Sequence, residues 1–493
     1  SVGSVQTPTL AMLVEREQRI ENFAAEKSYS VRLDCGSFVA DSENMPLVDA
    51  DRLRAVCDGQ SAFVTNIEEK ERSAGAPKLY DLTTLQRDAN RLYDMTAQQT
   101  LDVAQRLYES KRITYPRTDS RYITKDMEKG AMELVQLIIT AAPWGKGVVV
   151  EADLRKAVND EKVGDHHAIL PTRQVCKRDT ADLGEQEKAV LELVCQRLIL
   201  AASPKHIYKR TVLQLDCTGH LFAAKGKVTE REGWKDIQKR IKAGDTGDED
   251  ESGGEDAALP PMHVGQEFGD VKASIVEHET TPPRHFKEDT LLSAMETAGN
   301  DELDKSLDTE KKGLGTPATR AGIIEKLIKS GLAERSKKQI LPTDKGRKLI
   351  DIVPAIMKSP KLTAQWENQL TEIAGGQRDP DGFMQGILDL VTEIMQEKNK
   401  NFPRAAFSAP RQEEREVIGA CPRCGANVYE TKSNFRGSGS ECGFALWKYS
   451  RFFTAKKKEL KKMAAKSLLK TGKAKMRGFV SKKTGKKYDA VVV

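Results

Sequence analysis

Tyr115 and Arg117 stand two residues apart in the run Ser110-Lys111-Arg112-Ile113-Thr114-Tyr115-Pro116-Arg117-Thr118-Asp119-Ser120. Pro116 excludes Tyr115 from the helical region and stiffens its backbone. Residues two apart in an extended segment project from one face, so the phenol and the guanidinium lie side by side. That pairing suits attack on a phosphodiester: the phenolate attacks phosphorus while the arginine stabilises charge on the phosphoryl oxygens. A cationic neighbour also favours ionisation of a phenol whose ordinary pKa is about 10. Most tyrosines in such a spacing simply pack and hydrogen-bond, so other segments must carry the reading.

Three further segments hold candidate groups. Gly164-Asp165-His166-His167-Ala168-Ile169 places two of the seven histidines together, and imidazole can contact a phosphate or move a proton near neutral pH. Gly313-Leu314-Gly315-Thr316-Pro317-Ala318-Thr319-Arg320 opens a helix with Thr316 as cap and Pro317 at its first position. Ile323, Ile324, Leu327 and Ile328 form its buried stripe and Gly331 stops it. Free N–H groups at such a start, with Arg320 one turn in, make a seat for phosphate. Cys421-Pro422-Arg423-Cys424 is half of a zinc knuckle, because the two-residue gap lets both thiolates reach one metal. Cys442 is the third possible ligand. No fourth cysteine follows and the last histidine is His285, so Glu441 or water would have to complete a zinc site, the alternative being a degenerate ribbon that holds no metal. Phe435, Phe444, Trp447, Tyr449, Phe452 and Phe453 interleave with bases there, which suits either stacking on single-stranded DNA or a small core.

These groups need elements to position them, and 493 residues suggest several domains. Residues 1–22 read as a helix capped by Thr7 with Pro8 at its first position. Residues 23–80 and 203–285 alternate as strands, and 81–202 and 286–400 show helical periodicity. A helix is expected from Thr124, as cap, with Asp126 in its first turn. Two strand blocks flanking a helical block imply a sheet domain with a helical domain inserted. Residues 401–417 read as a linker, 418–450 as the cysteine module and 451–493 as a basic segment. Seven of the twelve residues from Asp245 to Asp256 are acidic, which predicts a disordered loop.

The net charge of +6 is unevenly spread: residues 451–493 carry +13, leaving −7 for the rest. A basic tail on a mildly acidic body points to a polyanion partner, contacted without reading bases. Cys35, Cys57, Cys176, Cys195 and Cys217 follow no spacing pattern and read as thiols in a reducing compartment. No run approaches the roughly 18 apolar residues of a membrane span, and no leader opens the chain. With Ser1 at one end and Ala490-Val491-Val492-Val493 at the other, the chain reads as a fragment.

Residues 1–9, the segment Ile113 to Ser120, Asp165 to Ile169 and Gly313 to Arg320 together resemble the type IA DNA topoisomerases, in family order. Pro116 and the paired histidines resemble the topoisomerase III branch. The resemblance implies an α+β multidomain fold: a mostly helical toroidal gate with a β-rich hinge and a small zinc-ribbon-like module at the C-terminus. It makes 23–80 with 203–285 the hinge, 81–202 the lifting domain, and 1–22 with 286–400 the single-strand-binding domain. Tyr115 would form a 5′-phosphotyrosyl link, Arg117 would position the scissile phosphate and His166 would stabilise it. Gln6, Thr7, Thr118, Asp119, Ser120, His167, Thr316, Thr319 and Arg320 would contact DNA.

The resemblance also implies Mg²⁺, held by carboxylates of a Toprim domain to which nothing here corresponds. The chain is therefore expected not to complete cleavage and religation by itself. Ser4 stands where the family usually has Arg. No Gly-x4-Gly-Lys-[Ser/Thr] motif occurs, and transesterification needs no ATP. The implied partner is single-stranded or negatively supercoiled DNA, relaxed or decatenated by a monomer in a bacterial or plasmid-encoded cytoplasmic, nucleoid-associated setting. A tyrosine recombinase would carry its tyrosine after its Arg/His cluster. A relaxase would need histidines separated by one apolar residue. A non-catalytic single-stranded DNA-binding module is the alternative reading.

Overall fold

The computed structural model describes residues 3, 5–141, 152–176, 181–242, 258–298, 313–401, 416–431, 433–437, 442–456, 458–481 and 486–493. It divides into two compact units, residues 1–400 and 401–493. The acidic stretch 245–256, most of the expected linker, Ser4 and Glu441 lie outside the described residues.

The first unit opens with α1 (Gln6–Glu21), followed by β1 (Lys27–Asp34), β2 (Val39–Asp41), α2 (Leu47–Cys57) and β3 (Ala62–Ala74). The chain then becomes helical through α3 (Leu82–Tyr93), α4 (Ala97–Glu109), α5 (Glu128–Ala141) and α6 (Glu185–Ala201). It returns to strands in β4 (His206–Cys217) and β5 (His220–Arg231), and continues through α7 (Trp234–Lys242), β6 (Glu267–Phe268) and β7 (Lys272–Glu279). The seven strands form one antiparallel sheet in the order β6-β3-β4-β5-β2-β1-β7. β3 and β4 pair from Ala62↔Cys217 to Ala74↔His206, so the helices between them leave and rejoin the sheet at one end. Next come α8 (Glu288–Thr297), α9 (Pro317–Lys329), the hairpin β8 (Ala333–Ser336) and β9 (Gln339–Pro342), and α10 (Asp344–Ile352). The helices α11 (Ala355–Lys358), α12 (Pro360–Ala374) and α13 (Pro380–Asn401) end the unit.

Three apolar cores hold this unit. One, built on Leu85, Val103, Leu107, Val135, Val194 and Leu198, serves the α3–α6 block. A second joins Leu10, Leu13 and Val14 of α1 to Leu291, Leu292, Ile324 and Leu327 of α8 and α9. The third lies on the sheet, with Val31, Leu33, Val64, Leu213 and Phe222. Each fully buried aliphatic side chain contributes roughly 1.5–3 kcal/mol.

Helix starts differ from the sequence expectation in two places. α1 is preceded by Val5, not capped by Thr7; Thr7 sits inside the helix, where its hydroxyl accepts from Gly3 N at 3.2 Å. Pro8 is its third residue, a position whose N–H would lack a helical partner anyway. Thr124 makes no side-chain cap; it precedes a single 3₁₀ turn, and Asp160 accepts from Lys125 N at 2.8 Å instead. Three short elements also interrupt regions read as uniform: α2 and α7 among strands and the β8–β9 hairpin among helices.

The second unit contains β10 (Val417–Ala420), β11 (Asn427–Glu430), β12 (Asn434–Gly437) and β13 (Ala445–Trp447) in one antiparallel sheet. It continues through α14 (Arg451–Ala455), α15 (Lys462–Thr471) and the hairpin β14 (Ala474–Val480) and β15 (Lys487–Val492). The basic segment is thus folded, not a loose tail. Phe453, Leu460, Ala465, Met476 and Phe479 share a core with Ile418, Val428 and Phe435. Of the six aromatics Phe435 and Phe453 are core, Phe444 packs half-buried against it, and Trp447, Tyr449 and Phe452 are exposed.

Candidate active site

α4 begins with a reciprocal cap between Thr96 and Gln99 and ends at Ser110. Lys111 then takes a left-handed φ of 61°, which returns Lys111 N to Tyr108 O and Arg112 N to Leu107 O, both at 2.8 Å. The Arg112 side chain turns inward and grips Asp182 with Nη2, at 2.7 and 2.9 Å from the two carboxylate oxygens. From here the chain runs antiparallel to residues 168–172. Thr114 N donates to Leu170 O, Leu170 N to Thr114 Oγ1 and Thr172 N to Arg112 O, all within 2.8–2.9 Å.

This pairing delivers the histidine segment to the tyrosine. The rings of Tyr115 and His166 lie 4.4 Å apart, centroid to centroid, at 47°. On another side Tyr108, from the last turn of α4, meets Tyr115 edge-on at 5.4 Å. Tyr115 is half-buried, and no hydrogen bond joins its hydroxyl to a described residue.

Beyond the buried Pro116 the loop is fastened from inside. Thr118 Oγ1 donates to His166 O at 3.0 Å and accepts from Ser120 N. Ser120 Oγ donates to Lys162 O at 2.8 Å, and Leu82 N, at the start of α3, donates to Thr118 O. Arg121 reaches from the same loop to Asp81 Oδ2 at 2.6 Å and to Glu296 Oε1 of α8 at 2.7 Å. Asp81 also caps α3 by accepting from Thr84 N.

The start of α9 is built as the sequence suggests. Thr316 N donates to Thr319 Oγ1 at 2.9 Å, and Gly315 has a left-handed φ of 69°. Gly313 must lack a side chain: a Cβ there would meet Met295 O at 2.1 Å. A Cβ on Gly315 would lie 3.4 Å from Val5 Cγ1, so this loop and the first residues of the chain adjoin. Arg320 points inward, donating to Thr83 Oγ1 at 2.8 Å and Leu314 O at 3.2 Å. Burial lowers its pKa, against the pull of Glu296 and Asp81.

The proposed contact residues therefore fall into two sets. Arg117, Asp119, His166, Thr316 and Thr319 are exposed, and Tyr115, His167 and Gln6 are half-buried. Thr7, Thr118, Ser120 and Arg320 are buried. Polar atoms of these four are engaged inside the protein, where they hold the loops in place. Sequence reasoning passed over Tyr108 and Arg121. Tyr108 stands seven residues before Tyr115 at the helix end, and Arg121 is the first charge after the motif.

A sequence model described as DNA topoisomerase matches residues 1–385. This chain belongs to the DNA topoisomerase family. It is 34% identical over 453 residues to DNA topoisomerase 3 of Bacillus licheniformis, covering 86% of this chain and 59% of that protein. DNA topoisomerase 3 of Bacillus subtilis gives 34% over 450 residues, with the same coverage. The chain thus spans about 59% of the length of these curated relatives. Full-length topoisomerase I from Thermotoga maritima shares the fold, with a TM-score of 0.60 and 20% identity over 90% of this chain and 70% of that one. The type IA, topoisomerase III-like resemblance and the α+β topoisomerase fold are borne out. No described helix is long and apolar enough to cross a membrane.

No group of three or more carboxylates among the described residues is placed to share a magnesium ion. Among the described residues the only group of three or more His, Cys, Asp or Glu side chains able to share an ion is Cys421, Cys424 and Cys442. The carboxylates fastened to the loop, Asp81 and Glu296, are both bound by Arg121. The three cysteines do suit zinc. Their sulfurs lie within 4.8 Å of one another, and those of Cys421 and Cys442 are 3.6 Å apart, as thiolates about 2.3 Å from one tetrahedral ion require.

Proposed function

We propose that this chain carries the nucleophile and strand-handling surfaces of a type IA topoisomerase of the topoisomerase III kind. It would relax negatively supercoiled DNA or decatenate DNA without ATP. The observation that carries the reading is the half-buried Tyr115, hydroxyl untied, seated between His166 and Tyr108 on a loop anchored from within. Tyr115 Oη attacks the phosphorus of a single strand, forming the phenol ester at the 5′ phosphate as the bond to the 3′ oxygen breaks. The phenolic proton is transferred to that departing oxygen. Arg117, exposed two residues on, stabilises the non-bridging oxygens, and His166 supplies a second donor beside the ring. The ester keeps the energy of the broken linkage, and the reverse attack reseals the strand.

The helical block 81–202 would act as the lifting domain, the seven-stranded sheet as the hinge, and 1–22 with 286–400 as the single-strand-binding domain. In the second unit the three cysteines would hold zinc as a structural ion. Elemental analysis should find stoichiometric zinc that Cys424→Ser loses. The function itself is tested by mixing the natural protein with a labelled single-stranded oligonucleotide and denaturing. A covalent adduct, absent in Tyr115→Phe, supports the reading; binding with no adduct in the wild type favours a non-catalytic DNA-binding module.

A further inference from the structure

The three long strands β3, β4 and β5 carry very different charge on their two faces. On one face, Lys209 lies directly across from Glu71 and pairs with Glu69 at 3.6 Å. On the other, the register places Lys70 opposite Arg210 and Arg210 opposite Lys227, three cations in one row across three neighbouring strands. Directly opposed side chains sit about 5 Å apart, and like charges there destabilise a sheet. Arg72 and Lys225 extend the same face, since side chains two apart share a side. Glu68, paired with Lys70, is the one carboxylate that residues 68–72, 208–212 and 225–229 add to it.

The row continues past the end of β5. Lys227 Nζ lies 4.6 Å from the centre of the Tyr208 ring, which stacks on His206 at 5.3 Å. His206 is buried, and its Nε2 has no hydrogen-bond partner. Burial, then the ammonium of Lys227, pushes Lys235 of α7 below the ordinary lysine value, with Glu232 opposing. Cations are thus gathered here at a cost to the unliganded fold, next to an aromatic ring.

We infer that this face of the sheet binds the phosphodiester backbone of a DNA segment without reading its sequence, at a site separate from Tyr115. Strands spaced about 4.8 Å apart set Lys70, Arg210 and Lys227 along roughly 10 Å, enough for two successive phosphates. Tyr208 offers a flat ring beside them. The inference stands on the sheet alone and does not depend on cleavage.

The test is equilibrium binding of the whole chain to a fluorescent 30-mer, as single strand and as duplex, over a salt series. Wild type is compared with Lys70→Ala/Arg210→Ala/Lys227→Ala, and with Lys209→Ala from the opposite face. The triple variant should flatten the slope of log K against log salt by about 1.4 for single strand or about 1.8 for duplex, the loss of two phosphate contacts. The arm that loses more identifies the form bound. Lys209→Ala should leave both slopes in place. Lys70→Ala and Lys227→Ala alone should each remove roughly a third of the effect, which keeps the test valid if the triple variant folds poorly. Arg210→Ala should also raise the thermal midpoint of the free protein by about 1–2 °C, because the repulsion is relieved. Unchanged slopes in the triple and single variants, or a loss equalled by Lys209→Ala, would overturn the inference.

Discussion

Two tyrosines in the helical half of the first unit sit in opposite environments. Tyr80 is buried; its hydroxyl donates to Asp88 Oδ2 at 2.7 Å, and the Arg197 guanidinium lies 4.1 Å from its ring centre. Burial drives its ionisation far above the ordinary phenol range, more strongly than Arg197 opposes it. Its carbonyl accepts from Ile169 N, so it pins the 168–172 stretch that pairs with the Tyr115 loop. Tyr115 meets Tyr108 and His166 through ring contacts, and among the described residues its hydroxyl has no hydrogen-bond partner. A cationic arginine lies against the Tyr80 ring, so a nearby positive charge does not by itself mark a nucleophile. What distinguishes them is what the hydroxyl has already bonded. A nucleophile needs its oxygen free and its surroundings fixed; a structural tyrosine has the reverse.

Removing each hydroxyl is the sharpest way to break this comparison. Tyr115→Phe should abolish covalent capture of DNA while leaving the unfolding midpoint in place. His166→Ala should slow capture by roughly 100-fold, the scale of losing one proton-handling or phosphate-stabilising group. Quench-flow with a labelled oligonucleotide measures it, and an unchanged rate removes His166 from the mechanism. Tyr80→Phe should do the opposite of Tyr115→Phe: urea unfolding should show a loss of about 1–2 kcal/mol from a buried hydrogen bond, with adduct yield kept near wild type.

The smallest effect lies in the second unit. Glu416 is bound by Lys462 and Lys466, which hold its pKa at about 2. A carboxylate depressed on folding gives stability that is present above its unfolded value and lost as pH falls through the folded one. Unfolding of this unit should therefore grow easier between pH about 4.5 and 2, and Glu416→Gln should flatten that dependence. An equal acid dependence in the variant would place the effect elsewhere.

Much of the frame is legible in residue order. The α9 start shows in Gly313, Gly315, Thr316 and Pro317, and the strand runs around 62–67 and 211–215 form β3 and β4. The Tyr115–His166 contact is not legible from spacing. Fifty-one positions separate them, and the gap closes through the pairing of 111–114 with 168–172 and the Thr118 bond to His166 O. The inner hydrogen bonds of Thr118, Ser120 and Arg320 are not legible for a physical reason: a hydroxyl or guanidinium in a loop reads alike whether it faces a phosphate or an inner carbonyl. The basic segment misleads because its lysines mask the apolar positions Leu460, Ala465, Met476 and Phe479, which build a shared core. Cross-strand register, which lines up Lys70, Arg210 and Lys227, cannot be read before the strands are paired.

The most direct measurement is the identity of the residue that carries DNA after trapping. The natural protein is allowed to react with single-stranded oligonucleotide, digested, and the nucleotide-bearing peptide sequenced by mass spectrometry. The nucleotide should sit on Tyr115, through its 5′ phosphate. A nucleotide on any other side chain, or joined through a 3′ phosphate, would contradict the account.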